Sequence, residues 1–237
     1  MRRLPVVALA VATTGVLIPV AARAHFVLQA PPSWAAQDSV GSPQKSAPCG
    51  QADPGQAASP SGTVKAYAPG DTVTITINET IPHPGHYRVV LSTTGQSGLP
   101  ADPPVTVVGT DPCGSTVIQS PPVFPVLADG MLAHTGAFSG PQTFTVTLPT
   151  DVTCANCTLQ VEEFMSSHGL NNPGGCFYHH CADISIQQGG GGGNDAGSVE
   201  PGGSSSGCGC AVGDPRASLG GVLLLLAVAA VRRARRR

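Results

Sequence analysis

"GDTVTITINETI", residues 70–81, decides the fold class. Val73, Ile75 and Ile77 alternate with Thr72, Thr74 and Thr76. Successive side chains of a strand point to opposite faces, so a period of two turns one apolar face to a core and one hydroxyl face to water. The same alternation predicts strands over "HYRVVLS" (86–92), "QTFTVTLP" (142–149), "CTLQVEEFM" (157–165) and "CADISI" (181–186). Phe144, Val146 and Leu148 share one face of theirs. Pro- and Gly-rich segments separate these runs, and no stretch of useful length repeats at the helical period. The stretch 97–130 reads as mostly loop, with one short strand near Val105–Val108. Short strands with turn punctuation predict an all-β fold, an immunoglobulin/fibronectin III-like β-sandwich with long loops. Composition agrees: 30 Gly, 23 Pro and only 11% charged residues suit a turn-rich β protein better than a helical one.

The sandwich occupies only the middle of the chain. Arg2 and Arg3 precede an apolar run from Leu4 to Val20, and Ala22-Arg23-Ala24 is a small-x-small cleavage site. Residues 1–24 therefore read as a secretory signal peptide. Residues 25–188 form the folded domain, large enough for a core of its own. A Gly/Ser-rich linker covers 189–207, and a third module, 208–237, closes the chain. That module holds Cys208-Gly-Cys210, an apolar helix at 217–231 and a terminal Arg cluster. Fifteen helical residues reach about 22 Å, short against a hydrocarbon core of about 30 Å. The arginines place this end in the cytoplasm, so the topology is a single C-terminal anchor.

Charge and cysteine follow the same partition. Between residues 25 and 188 three cations (Lys45, Lys65, Arg88) face eleven acids, a formal net charge of −8. Such a surface repels nucleic acid and other polyanions and leaves a neutral partner as the better expectation. Six cysteines fall in the domain: Cys49, Cys113, Cys154, Cys157, Cys176 and Cys181. An even count in an exported domain reads as disulfides. Cys154 and Cys157 also have zinc-ligand spacing, but an oxidising compartment favours bridges.

Cleavage after Ala24 makes His25 the first residue of the mature protein. Its α-amine and a ring nitrogen could then bind one metal ion. "IPHPGHYRVVLS" (81–92) places His83 and His86 at the mouth of a strand, and one of them could give a third nitrogen. Three nitrogens in a T shape suit copper, which tolerates tetragonal geometry and favours imidazole. His134 and His168 fall in loops with no assigned partner, and His179 and His180 read as exposed neighbours of Tyr178.

These stretches resemble a known family. "HFVLQAPPSW" (25–34) is similar to the mature start of animal-type and related lytic polysaccharide monooxygenases, copper enzymes with a histidine brace. "CANCTLQVEEF" (154–164) resembles their CxxCxLQ strand, and "GCFYHHCADISI" (175–186) their closing segment. The likeness extends to a myxobacterial group of monooxygenase-like exported proteins. The tail resembles the myxobacterial C-terminal sorting signal, MYXO-CTERM, in which Cys208 and Cys210 would serve processing by a sorting protease. The helix would then hold the protein at the membrane at least transiently, before display on the cell surface or outer envelope or release.

The resemblance implies one copper ion held by His25 and a second histidine, His83 ahead of His86. It puts Tyr178 at the axial position and Gln160 or Glu162 where oxygen species are positioned. The implied activity is oxidative cleavage of glycosidic bonds in a neutral polysaccharide, with electrons from an external donor. It also implies a Cys49–Cys181 bridge, which Cys157–Cys176 and Cys113–Cys154 would complete. One departure stands out. Trp34, Tyr67, Tyr87 and Tyr178 are the domain's only Trp and Tyr residues, which is poor stacking area for a glycan. A copper-binding or copper-delivery protein without catalysis, and a metal-free surface protein, are the alternatives.

Overall fold

A computed structural model describes residues 24–189 apart from 52 and 54. The signal, the linker beyond 189 and the tail, with Cys208, Cys210 and the helix at 217–231, lie outside the described residues. Among those described, no helix is long and apolar enough to cross a membrane.

The domain is a two-sheet β-sandwich of ten strands: β1 (His25–Ala30), β2 (Val64–Tyr67), β3 (Thr72–Ile81), β4 (Gly85–Ser92), β5 (Val105–Val108), β6 (Asp111–Thr116), β7 (Val126–His134), β8 (Gln142–Thr147), β9 (Cys154–Met165) and β10 (Phe177–Ile186). One sheet has the order β1-β3-β8 and the other β2-β10-β9-β4-β7, while β5 and β6 form a separate hairpin. The alternation in β3 works as expected: Val73, Ile75 and Ile77 are buried, and Thr72 and Thr74 are exposed. They meet Phe26 and Leu28 of β1, Phe144 and Val146 of β8, and Tyr87, Val89, Leu91, Leu159, Val161, Tyr178, Ala182, Ile184 and Ile186 of the larger sheet in one core. Phe26 sets its ring edge-on to Tyr87 (5.3 Å) and His180 (4.6 Å).

β6 and β7 depart from the expected loop. β7 contains Gly130 at φ 70° and Leu132 at φ 52°, and its pairing with β4 shifts register three times. Bulges break the period of two, so the alternation signal is lost although the strand forms. β6, "DPCGST", has Pro and Gly where a strand usually has β-branched residues.

The larger sheet also has a covered outer face. The segment between β1 and β2 runs beside β10, with the Trp34 N–H donating to the Cys181 carbonyl (2.9 Å) and the His179 N–H to the Gln44 carbonyl (2.7 Å). Gln44 in turn accepts the Phe26 N–H on its side-chain oxygen (3.1 Å). The Asp53 carboxylate holds this loop by accepting the N–H groups of Gln44, Lys45 and Ser46. Phe164, Phe177, Cys113 and Cys176 form a small second core on the outer face.

Cys49–Cys181 is formed, with Cα atoms 5.3 Å apart. The other two expected pairings are corrected: the bridges are Cys113–Cys176 and Cys154–Cys157. The reason is distance along β9. Cys157 lies near its start, and Cys176 sits at its end, where its carbonyl accepts the Met165 N–H. Eight residues of strand separate them by about 26 Å, far beyond the reach of a disulfide.

Candidate functional site

Histidines gather in two places, on opposite sides of the larger sheet. The first is one end of the sandwich. His25 opens β1 and pairs with Ile81, the last residue of β3, so His83 follows two residues beyond that contact. Thr80 Oγ1 donates to the His25 carbonyl (3.1 Å). The His25 ring lies 5.1 Å from the Tyr178 ring, and the Tyr178 hydroxyl donates to Asn171 Oδ1 (3.3 Å). His83 is buried and packs edge-on against His168 at 4.7 Å. Burial lowers the pKa of His83, so its imidazole is neutral at pH 7 and keeps a lone pair for a metal. His25 also lines a polar cleft of about 400 Å³ with Asp38, Lys45 and Asn172.

Behind these residues a few polar groups interrupt the otherwise apolar core-facing side of the larger sheet. Tyr87 donates its hydroxyl to Glu79 Oε1 (3.0 Å), and His134 Nε2 lies 2.8 Å from the same oxygen. His134 thus closes β7 against a carboxylate rather than sitting partnerless in a loop. His180 is also buried, contrary to expectation. Burial lowers its pKa to about 4, and the neutral ring donates from Nε2 to the Phe26 carbonyl (2.9 Å).

Glu163 lies on this same face with no hydrogen-bond partner on either carboxyl oxygen. Burial first, then the nearby Glu79, push its pKa well above its ordinary value of 4.5. The folded protein therefore keeps a proton that the unfolded chain releases near pH 4.5. The native state binds more protons above that pH, so stability falls as pH rises, by about 1.4 kcal/mol per pH unit until the folded-state pKa is passed. Glu163→Gln carries no such proton. Its stability relative to wild type, measured by urea unfolding between about pH 5 and 7, should climb with pH, and a constant difference would refute the shift.

The second gathering is on the outer face. His86 points away from Tyr87, toward Asp129 (3.9 Å) and the Phe164 ring (5.3 Å). Arg88, Gln160, Glu162 and His179 share this side. Gln160 donates to the Pro48 carbonyl (2.8 Å), and Glu162 sits 3.9 Å from Arg88 Nε. Burial, with Asp102 and Asp129 nearby, raises the Glu162 pKa to about 7 against the pull of His179 and Arg88. His179, expected to be exposed, is fully buried and lies 2.8 Å from Asp102. Burial opposes its protonation, but Asp102 and Glu162 outweigh that and raise its pKa.

Strand parity therefore separates the sequence candidates. His25, His83 and Tyr178 lie at the sandwich end. His86, Gln160 and Glu162 face outward. The carboxyl group on the Tyr178 side is Glu163, which pairs directly with Tyr178 across β9 and β10. The signal for it was present: Leu159 and Val161 are core residues, so the odd positions of β9 face inward, with Glu163 among them.

Residues 21–184 match the family model described as lytic polysaccharide mono-oxygenase, cellulose-degrading. Among solved structures, the chain is similar to a lytic polysaccharide monooxygenase AA15 from Thermobia domestica in the Cu(I) state, with 18% identity, 58% of this chain and 74% of that one covered, and a TM-score of 0.38. It is also similar to a chitin binding domain from Burkholderia pseudomallei, with 11% identity, 70% and 100% covered, and a TM-score of 0.39. No protein with a curated description matches it.

Proposed function

Since the chain belongs to the lytic polysaccharide mono-oxygenase family, we propose that it is an exported, copper-dependent enzyme that oxidatively cleaves glycosidic bonds in a neutral polysaccharide. The observation that carries this reading is the meeting of His25, the strand end leading to His83, and Tyr178 at one end of the sandwich. The donor set fits copper: two buried imidazoles, one of them held neutral by burial, with a tyrosine beside them. In the 237-residue chain the His25 nitrogen is in a peptide bond with Ala24. Export and cleavage at Ala24 supply the amine that completes the ligand set of His25 and His83.

Copper bound there supplies one-electron redox chemistry, driven by an external electron donor, for oxidising a sugar carbon beside the glycosidic bond. The chain's own groups shape the site around it. The Tyr178 hydroxyl donates to Asn171 Oδ1, which anchors the ring beside His25. Glu163 holds a proton on its carboxyl group at the same face. The −8 charge of the domain turns polyanions away and admits a neutral glycan. The signal peptide at 1–24 and the MYXO-CTERM-like tail direct the domain to the cell surface or outer envelope, with the membrane helix and a sorting protease as transient partners.

A second reading rests on one observation. Tyr87 and Tyr178 are fully buried, and Trp34 and Tyr67 are partly so. Among the described residues no Trp or Tyr is left fully exposed for a sugar to stack on. That favours a copper-binding or delivery protein that holds the metal without cleaving glycans. Intact mass and N-terminal sequencing of the exported protein, followed by Cu(II) titration and incubation with reductant and glycans, separate the two. A start at His25, one tight nitrogen-rich copper and oxidised oligosaccharides establish the enzyme. Tight copper with no oxidised product from any glycan supports delivery, and a start elsewhere removes both.

A further inference from the structure

The outer face of the larger sheet carries a charged row that the proposed copper site does not use. Arg88 of β4 pairs with Glu162 of β9, and Glu162 pairs with His179 of β10, so the three side chains stand next to one another. Asp102 reaches the row from the loop before β5. Asp102, Glu162 and His179 each offer one ligand atom, and the three atoms lie within 4.8 Å of one another. Glu162 is 1% and His179 0% exposed, while the Asp102 side chain, 27% exposed, leaves a way in from solvent.

His179 Nε2 lies 2.8 Å from Asp102 Oδ1, but the protein's own contacts leave the rest of this row incomplete. Glu162 Oε2, His179 Nδ1 and Arg88 Nε are all buried without a hydrogen-bond partner. Arg88 Nε lies 3.9 Å from both Glu162 Oε2 and Asp129 Oδ2, too far for a hydrogen bond to either. Asp102, Asp129 and Glu162 set three carboxyl groups beside one guanidinium, so acidic donors outnumber basic ones in the row. Buried polar atoms need partners, and a divalent cation bound here would give one to Glu162 Oε2.

We propose that Asp102, Glu162 and His179 form a second metal site, taking a divalent cation of the zinc class and separate from the His25 end of the sandwich. One imidazole nitrogen and two carboxylate oxygens are a donor set that zinc accepts with water as a fourth ligand. The ligands come from a loop and two strands, so the ion would pin the loop of Asp102 onto the sheet. The outer face is turned away from His25 and Tyr178, so the ion would act apart from the copper site.

The test uses the exported chain, stripped of metal with a chelator and loaded with one equivalent of Cu(II), then titrated with Zn²⁺ by calorimetry. One further equivalent of zinc should bind and raise the melting temperature. Asp102→Asn, at a partly exposed loop position, should weaken zinc binding at least about tenfold and leave the copper electron paramagnetic resonance spectrum unchanged. Glu162→Gln should do the same. The proposal is overturned if no zinc binds beyond the copper equivalent, which would mean that a proton on His179 balances the row instead. It is equally overturned if zinc binds as tightly to Asp102→Asn as to wild type.

Discussion

His83→Ala, in the protein that begins at His25, is expected to weaken Cu(II) binding by more than about 100-fold, since even loss of a group outside the ligand set costs 10- to 100-fold in metal sites. The nitrogen hyperfine pattern should lose one imidazole, and any oxidised oligosaccharide product should disappear with it. His86→Ala should leave the copper spectrum and affinity as in wild type. The contrast follows from where the two side chains go. His83 lies two residues past Ile81, the partner of His25. His86 lies on β4, packed on Phe164 and 3.9 Å from Asp129 across the sheet. Loss of copper in His86→Ala with its retention in His83→Ala would reverse the assignment. Titration of both variants by calorimetry and electron paramagnetic resonance decides it.

Replacing Cys49 and Cys181 together by alanine is expected to cost about 2–5 kcal/mol of stability. The bridge spans 132 residues, so it constrains most of the unfolded domain. It also ties the loop after β1 to β10, three residues from Tyr178. That loop carries Gln44, which holds the Phe26 N–H and the His179 N–H. Alanine at Cys154 and Cys157, only three residues apart, should cost much less because so short a loop removes little chain entropy. Urea unfolding of the two double variants measures both, and equal losses would show that loop closure is not the source. The long-range bridge should also be needed to keep His25 and Tyr178 together, so copper affinity should fall with it.

Much of this protein is legible in its sequence because the relevant forces are local. The period of two in "TVTITI" comes from strand stereochemistry, so β3, β4, β8, β9 and β10 could be read within a few residues of their ends. The apolar run before Ala24 and the even cysteine count carry the export reading in the same way. His25 stood out because cleavage there would create a chelating residue, a matter of covalent chemistry and not of folding. The tertiary structure decided the rest. β7 forms because β4 offers it an edge, and its bulges hide it from any pattern. Cys113 meets Cys176 because the end of β9 brings them together from 63 residues apart. The faces of His86, Glu162 and Glu163 depend on which parity of each strand the sandwich buries. Local pattern shows only that neighbours alternate. The packing of one sheet on the other turns Glu163 and Tyr178 inward and leaves Glu162, His179 and Asp102 together outside.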